Sequence, residues 1–105
     1  LFAAVTAVSS ATRILSPAAL SELARERRNG MDRTLYHVSR FGSGVELPHV
    51  YSPMLGGDSF GHQGAGGSVI VVDPVRDVVV SYVCTHTQQT VGASDASLVL
   101  MGAIN

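Results

Sequence analysis

The most unusual stretch of this sequence is a glycine-rich run at residues 60–68, Phe-Gly-His-Gln-Gly-Ala-Gly-Gly-Ser. Glycines at this density let a ligand or another backbone approach closely, or let a strand kink at a sheet edge. A phosphate-binding loop needs a Lys-Ser/Thr pair that opens a helix, and all seven basic residues of this chain are arginines. The spacing also fails the dinucleotide-binding fingerprint. The run is therefore a close-approach loop or a plain glycine-rich loop.

Histidines, serines and a cysteine are the other candidates for chemistry. The four histidines, His37, His49, His62 and His86, are 12, 13 and 24 positions apart, and no pair falls on one helical turn or on alternate strand positions. No Gly-x-Ser-x-Gly nucleophile elbow is present. Cys84 follows an apolar run and is predicted to be a buried structural thiol. We therefore predict no metal site and no cofactor.

Composition restricts the partners of the chain. A net charge of -1 with only 14% charged residues gives no general attraction to phosphate backbones, so nucleic acid is not expected as a partner. No stretch reaches the roughly 18 apolar residues of a membrane span. At 105 residues the chain is at most one small domain. The apolar start at Leu1 indicates a cut within a longer polypeptide. The expected partner is a small molecule, and the oligomeric state is left open.

The elements that must position these residues begin with helices. Residues 1–8 could form a helix end. Ser16-Pro17 then predicts a helix start, with the serine as N-cap and the proline at the first helical position. Apolar residues recur at helical spacing as far as Arg27, and Asn29-Gly30 predicts the stop.

The rest of the chain is mainly β. Residues 41–47 predict a short strand and residues 48–58 a loop. The β-branched runs 68–72 and 78–84 predict two antiparallel strands joined by a turn, and their nearly continuous apolar character predicts a sheet covered on both faces. Ser81 is expected to be buried there. Ser94-Asp95 predicts a final helix through Ile104, packed on the sheet by Leu98, Met101 and Ala103.

At the glycine run the sequence resembles a known family. His62-Gln63-Gly64, followed by Ala-Gly-Gly-Ser, resembles the Lys/His-x-Gly third motif of the β-lactamase-related serine hydrolases, which include class C β-lactamases and penicillin-binding-protein-like esterases. Three more segments agree in order. Residues 15–17 resemble the start of a Leu-Ser-Pro-Glu-Thr helix, residues 41–45 a Phe/Tyr-Gly-Leu-Gly-Phe strand, and residues 60–74 a Phe-Gly-His-x-Gly-x-Gly-Gly to Asp-Pro passage.

The resemblance implies a reaction through an acyl-enzyme, in which the serine of a Ser-x-x-Lys motif attacks a carbonyl and a Tyr-x-Asn motif helps to move protons. Neither motif is present in this chain, so we expect the chain alone to be inactive. It would supply one wall of the site. The Ala65 N–H would be one oxyanion donor, Gly64 would leave space for the acyl group, and His62 would replace the lysine that binds a substrate carboxylate. Gln63 and Gly66 are expected to contact substrate.

The resemblance implies an α+β fold class, an antiparallel sheet flanked by helices of the β-lactamase/transpeptidase type, here incomplete. Residues 1–105 would be the carboxy-terminal part of a single such domain. The intact protein would be an esterase or β-lactamase-like acyl hydrolase, and a neutral imidazole at His62 favours neutral esters or amides over β-lactams. Two alternatives stay open: a non-catalytic binding or structural domain, and a pseudoenzyme. His62 could also be a strand-edge histidine that only hydrogen-bonds the loop.

Overall fold

Two helices and five strands form the part of the chain that the computed structural model describes, residues 14–89 and 92–105. The predicted helix end at residues 1–8 lies outside these residues. In chain order the elements are α1 (Pro17–Ala24), β1 (Arg28–Met31), β2 (Val38–Phe41), β3 (Phe60–Gln63), β4 (Val69–Asp73), β5 (Val78–Tyr82) and α2 (Asp95–Ile104). β1 and β2 pair antiparallel, and β3, β4 and β5 form an antiparallel sheet in that order.

Helix α1 starts where the sequence predicts and ends earlier. The Ser16 side chain accepts a hydrogen bond from the Ala19 N–H at 3.1 Å, with Pro17 at the first helical position. The helix ends at Ala24, so the predicted stop at residues 29–30 is wrong. The reason is tertiary: the Arg27 N–H donates to the Phe41 carbonyl at 2.8 Å, which draws the following residues into β1.

The hairpin of β4 and β5 is confirmed. Val69 to Asp73 pair antiparallel with Tyr82 to Val78. Asp73 stabilises the turn, because its Oδ1 accepts the N–H groups of Val75 and Arg76 at 3.0 Å each.

Burial on both faces is confirmed for β4 and wrong for β5. Side chains of β4 alternate between two apolar clusters, as the twofold period of a strand requires. In β5, Val80 is buried, whereas Val79 and Ser81 are exposed. The difference follows from what covers each face: α1 packs over Phe60 of β3 and Val72 of β4, and that cluster includes no residue of β5.

The two clusters place the helices on opposite faces. On one face, α1 residues pack against a cluster from β3, β4 and the segment before β3: Leu20, Leu23 and Ala24 against Val45, Leu47, Phe60 and Val72. On the other face Met101 of α2 joins Met54, Leu55, Val69, Val71 and Val80. Of the three α2 residues predicted to pack on the sheet, only Met101 is buried. Neither helix is long and apolar enough to cross a membrane, considering the described residues alone.

The segment predicted as a strand at residues 41–47 has a different structure. β2 ends at Phe41, and the chain then reverses through Gly42, whose N–H donates to the Val45 carbonyl, and Gly44, which has a φ of 82°. After the turn, Glu46 forms single antiparallel bridges to Phe41 and to Gly61 of β3. Glu46 therefore joins the β1–β2 hairpin to the three-stranded sheet. The sequence did not predict β1. The family resemblance implied a strand from His62, and the structure has β3 at Phe60–Gln63.

Gly61 should be required for the pairing of β3 with β4. A Cβ on Gly61 would lie 2.0 Å from the Ile70 carbonyl oxygen, which is backbone and cannot move without separating the strands. Gly61→Ala should therefore lower the free energy of unfolding of the intact protein by at least about 2 kcal/mol. The control is Gly57→Ala, at an exposed position where a Cβ meets nothing within 4 Å. Equal urea midpoints for the two variants would contradict the role of Gly61.

Candidate active site

A cleft of about 320 Å³ opens where β3 ends, beside the loop that follows Glu46 and the tip of the β1–β2 hairpin. The fold brings three of the four histidines to it, although their spacing along the sequence gave no such signal. The lining residues are Leu35, His37, Phe41, Glu46, His49, Tyr51, Ser52, His62, Gln63, Ala65 and Gly92. Three of the five residues predicted for the site, His62, Gln63 and Ala65, thus lie on one cleft wall.

His62 is exposed on β3, and its ring contacts Phe41 with the two centroids 5.9 Å apart. Its Nδ1 lies 2.7 Å from the Gln63 carbonyl oxygen. A carbonyl can only accept, so Nδ1 carries the proton of the neutral ring and Nε2 is the acceptor. The ring is therefore held in one tautomer, with Nε2 able to accept a proton or a hydrogen bond.

The glycines after His62 have different structural roles. At Gly64, which pairs with Ser68 through its N–H, a Cβ would make only ordinary contacts, 3.5 Å or more from Ser68 atoms. Gly66 has a φ of 100°, and a Cβ there would lie 2.5 Å from Cγ2 of Thr87. The fold itself therefore requires glycine at position 66 and tolerates a small side chain at position 64.

Ala65 and Gly66 are neighbours in sequence, but only one of them reaches the cleft. Ala65 is exposed and lines the cleft, whereas Gly66 is buried and stands outside the lining residues. The Gly66 carbonyl accepts hydrogen bonds from the Gln88 N–H at 3.0 Å and from the Cys84 thiol at 3.2 Å. Gly66 thus helps to shape the turn that presents Ala65. Cys84 is half-buried, and its thiol serves this structural contact.

The Gln63 side chain is engaged by the protein. Its Oε1 accepts from the Ala93 N–H at 2.5 Å, and its Nε2 donates to Ser52 Oγ and, at 3.4 Å, to Glu46 Oε1. All three partners come from segments outside β3. The carboxamide predicted to contact substrate is therefore already occupied by internal partners.

Sequence reasoning missed a second polar group in the cleft. Glu46 is buried, with 8% of its surface exposed, and its Oε1 accepts from His49 Nε2 at 3.3 Å. His49 in turn accepts the Tyr51 N–H at Nδ1, 3.4 Å away, and its ring contacts the Tyr51 ring edge-on. The sequence did contain a signal for it, because Glu46 stands between two apolar residues. Val45 and Leu47 enter the core, so the Glu46 side chain lies on the opposite side of this segment.

A metal site is not indicated. Within residues 14–89 and 92–105, no three histidine, cysteine or carboxylate side chains are grouped so that they could hold a metal ion. The cleft-lining residues of this described part also include no lysine or arginine, and Glu46 is their only carboxylate. The described lining residues can therefore accept hydrogen bonds and pack against aromatic rings, and they include no permanent cation for an anionic ligand.

This fold and this cleft define a class of protein: an α+β domain of the β-lactamase/transpeptidase type, with a His-x-Gly strand at the cleft and helices on both sheet faces. The chain belongs to the Beta-lactamase family, whose model matches residues 2–103. No curated protein sequence matches the chain. The family and fold class predicted from the sequence are thus confirmed.

Solved structures share the fold, and two of them cover nearly all of this chain. EstA from Arthrobacter nitroguajacolicus Rue61a superimposes with a TM-score of 0.79 at 24% identity over 97% of this chain. A family VIII carboxylesterase superimposes with a TM-score of 0.83, also at 24% identity, over 96% of this chain. This chain spans only 28% and 27% of the lengths of those two proteins.

The tip of the β1–β2 hairpin, which carries Leu35 and His37 to the cleft, depends on Asp32. Its carboxylate accepts the N–H groups of Leu35 and Thr34 at 2.9 and 2.8 Å, and Arg28 lies 3.1 Å away. These backbone hydrogen bonds, Leu35 first, and then the Arg28 charge, hold the pKa of Asp32 below its ordinary value of 3.8.

The stabilisation from Asp32 should accordingly be present above its ordinary pKa and be lost as pH falls through the lower, folded pKa. In an NMR titration the Asp32 carboxyl should titrate below 3.8, and the Thr34 and Leu35 amide signals should follow it. Asp58→Ala, in an exposed loop, should leave this titration unchanged. A carboxyl that titrates at or above the ordinary value would contradict the proposed turn.

Proposed function

We propose that residues 1–105 are the carboxy-terminal part of a single β-lactamase-related domain, and that the intact protein is a serine hydrolase that cleaves esters or related amides through an acyl-enzyme. The observation that carries this proposal is the position of His62, Gln63 and Ala65 on the wall of the cleft in a chain of the Beta-lactamase family. The family VIII carboxylesterase among the solved structures of this fold supports an ester substrate.

The chemical roles in this proposal follow from the strand. A serine from the part of the same protein that lies outside residues 1–105 would attack the substrate carbonyl. The Ala65 N–H, as one of two donors, would stabilise the negative charge that develops on the carbonyl oxygen. A donor of this kind is worth about 2.7–4 kcal/mol in a serine hydrolase. The Gly66 turn would aim Ala65, and the absence of a side chain at Gly64 would leave room for the acyl group.

The charge of the cleft supports a neutral substrate. A β-lactam brings a carboxylate, which in this family would meet the lysine that His62 replaces. The lining residues of the described part include no other permanent cation, and the buried Glu46 would repel an anion. Aromatic and aliphatic side chains, Leu35, Phe41 and Tyr51, line the same cleft and suit an uncharged group. We therefore infer neutral esters or amides as the substrate class.

The first test compares Gly64→Val with His62→Ala in the intact protein. The valine side chain would fill the space proposed for the acyl group beside the Ala65 N–H, so kcat/KM for a short-chain activated ester should fall by at least about a hundredfold. His62→Ala should cost less, because a neutral imidazole supplies a hydrogen bond and shape instead of the main proton transfers.

The matched control is Gly57→Val, at an exposed loop position where a Cβ meets nothing within 4 Å. All variants should melt cooperatively, since the fold leaves ordinary contact distances around Gly64. The reverse ranking would assign proton transfer to His62. Wild-type activity in both variants would remove β3 from the active site.

The second test concerns the boundaries of the domain. Exposed apolar side chains lie on α2 and on or beside β5: Val79, Val83, Leu98, Val99, Leu100 and Ile104. In the proposed domain they would meet further chain, so the isolated 105-residue polypeptide should bind a hydrophobic dye and self-associate. It should also hydrolyse no activated ester. A monomeric polypeptide with a sharp cooperative melt would contradict this boundary.

A further inference from the structure

We propose that Gln63 is a positioning residue: its carboxamide braces three separate segments against β3 and so sets the shape of the cleft beside His62. The three segments are the Glu46 bridge, the loop at Ser52 and the chain entering α2 at Ala93. They lie 17, 11 and 30 residues away along the chain. A single side chain therefore links the strand to segments that local folding does not bring together.

The orientation of the carboxamide is determined by its partners. The Ala93 N–H can only donate, so the atom 2.5 Å from it must be the amide oxygen of Gln63. The NH2 group then faces the opposite side, where the Glu46 carboxylate can only accept. The Ser52 hydroxyl accepts there as well. A glutamine satisfies this donor and acceptor pattern in one orientation.

The surroundings are built closely around this side chain. Gly92 has a φ of 135°, and a Cβ at that position would lie 2.8 Å from Gln63 Oε1. Ser52 and Glu46 are buried, with 6% and 8% of their surfaces exposed. Losing the carboxamide would take this partner from the Ala93 N–H and from the buried Ser52 hydroxyl, and leaving such groups unpaired costs more than the hydrogen bond itself contributes.

The Glu46 carboxylate makes the brace sensitive to charge. Elsewhere in the described chain, Glu22, Glu26, Asp32 and Asp73 each have an arginine within salt-bridge distance, whereas the recorded ionic partner of Glu46 is His49. The Gln63 NH2 group supplies a neutral donor to this carboxylate. A carboxylate in place of the Gln63 carboxamide would lie at about the same distance from Glu46. Two carboxylates this close cannot both remain ionised without a cost in free energy.

The catalytic consequence rests on the proposed function. Gln63 lies between His62 and Gly64, so a loosened brace would shift both from their positions, and a small displacement of aligned groups is costly for the rate. The brace itself does not depend on that function. It can therefore be tested by readouts that need no catalysis.

The first experiment measures hydrogen exchange at the Ala93 amide in the intact protein. Gln63→Ala removes the acceptor, so this amide should exchange about tenfold faster or more, while amides of β4 keep their protection. The matched control is Gln88→Ala, which removes an exposed glutamine side chain that does not line the cleft. Unchanged protection of Ala93 in Gln63→Ala would overturn the proposal.

The second experiment exchanges the two polar groups. In Gln63→Glu the new carboxylate still accepts from Ala93 but opposes Glu46, so the melting temperature and kcat/KM should be depressed at pH 8 and recover toward pH 5. Adding Glu46→Gln removes one of the two opposed carboxylates. The double variant Glu46→Gln/Gln63→Glu should therefore lose the depression at pH 8 that Gln63→Glu shows relative to the original protein.

The outcomes separate this brace from its alternatives. Failure of Glu46→Gln to rescue Gln63→Glu would overturn the pairing. An increase in KM in Gln63→Ala, with Ala93 still protected, would assign Gln63 to direct substrate contact and also overturn the brace. If the intact protein hydrolyses no ester, the proposed function fails, and the exchange rates and melting temperatures still decide whether Gln63 braces the cleft.

Discussion

The backbone of Glu46 is the connection on which the rest of the structure depends. Its N–H donates to the Gly61 carbonyl at 2.8 Å and its carbonyl accepts the Gly61 N–H at 3.0 Å, while a second bridge pairs it with Phe41. One residue therefore joins the β1–β2 hairpin to the sheet of β3, β4 and β5. Because of this connection, the hairpin tip and the end of β3 become opposite walls of one cleft.

The same residue links backbone architecture to the chemistry of the cleft. Val45 and Leu47 enter the apolar cluster under α1, so the Glu46 side chain must lie on the other face, where it is buried among His49 and Gln63. A buried carboxylate is stable only with hydrogen-bonding partners. The surrounding polar groups are therefore part of the fold, and the cleft acquires a fixed arrangement before any ligand enters it.

Most of the glycines at residues 60–68 are required for different structural reasons, which the composition of the run does not show. Gly61 is required by the neighbouring strand, and Gly66 and Gly67 by positive φ and by the close approach of Thr87 and Ser94. Gly64 has neither constraint within the described structure. A glycine that the fold does not require, next to exposed Ala65 on the cleft wall, is what a ligand-derived constraint would produce. The proposed acyl site is consistent with this distinction.

The sequence by itself determined the family, the start of α1, the β4–β5 hairpin and helix α2, because each depends on local chemistry. An N-cap serine before proline, β-branched runs around an Asp-Pro turn and a second N-cap serine act over a few residues. Only the tertiary structure decided where α1 ends, that Gly42 and Gly44 divide the expected strand, that residues 28–31 form a strand, and that the strand implied at His62 begins at Phe60. Strand pairing over long separations supplies the hydrogen bonds in these cases. The cleft could not be predicted from the sequence for the same reason. Its hydrogen-bonded residues, Glu46, Ser52, Gln63 and Ala93, are distant in sequence, and only the folded backbone brings them within hydrogen-bonding distance.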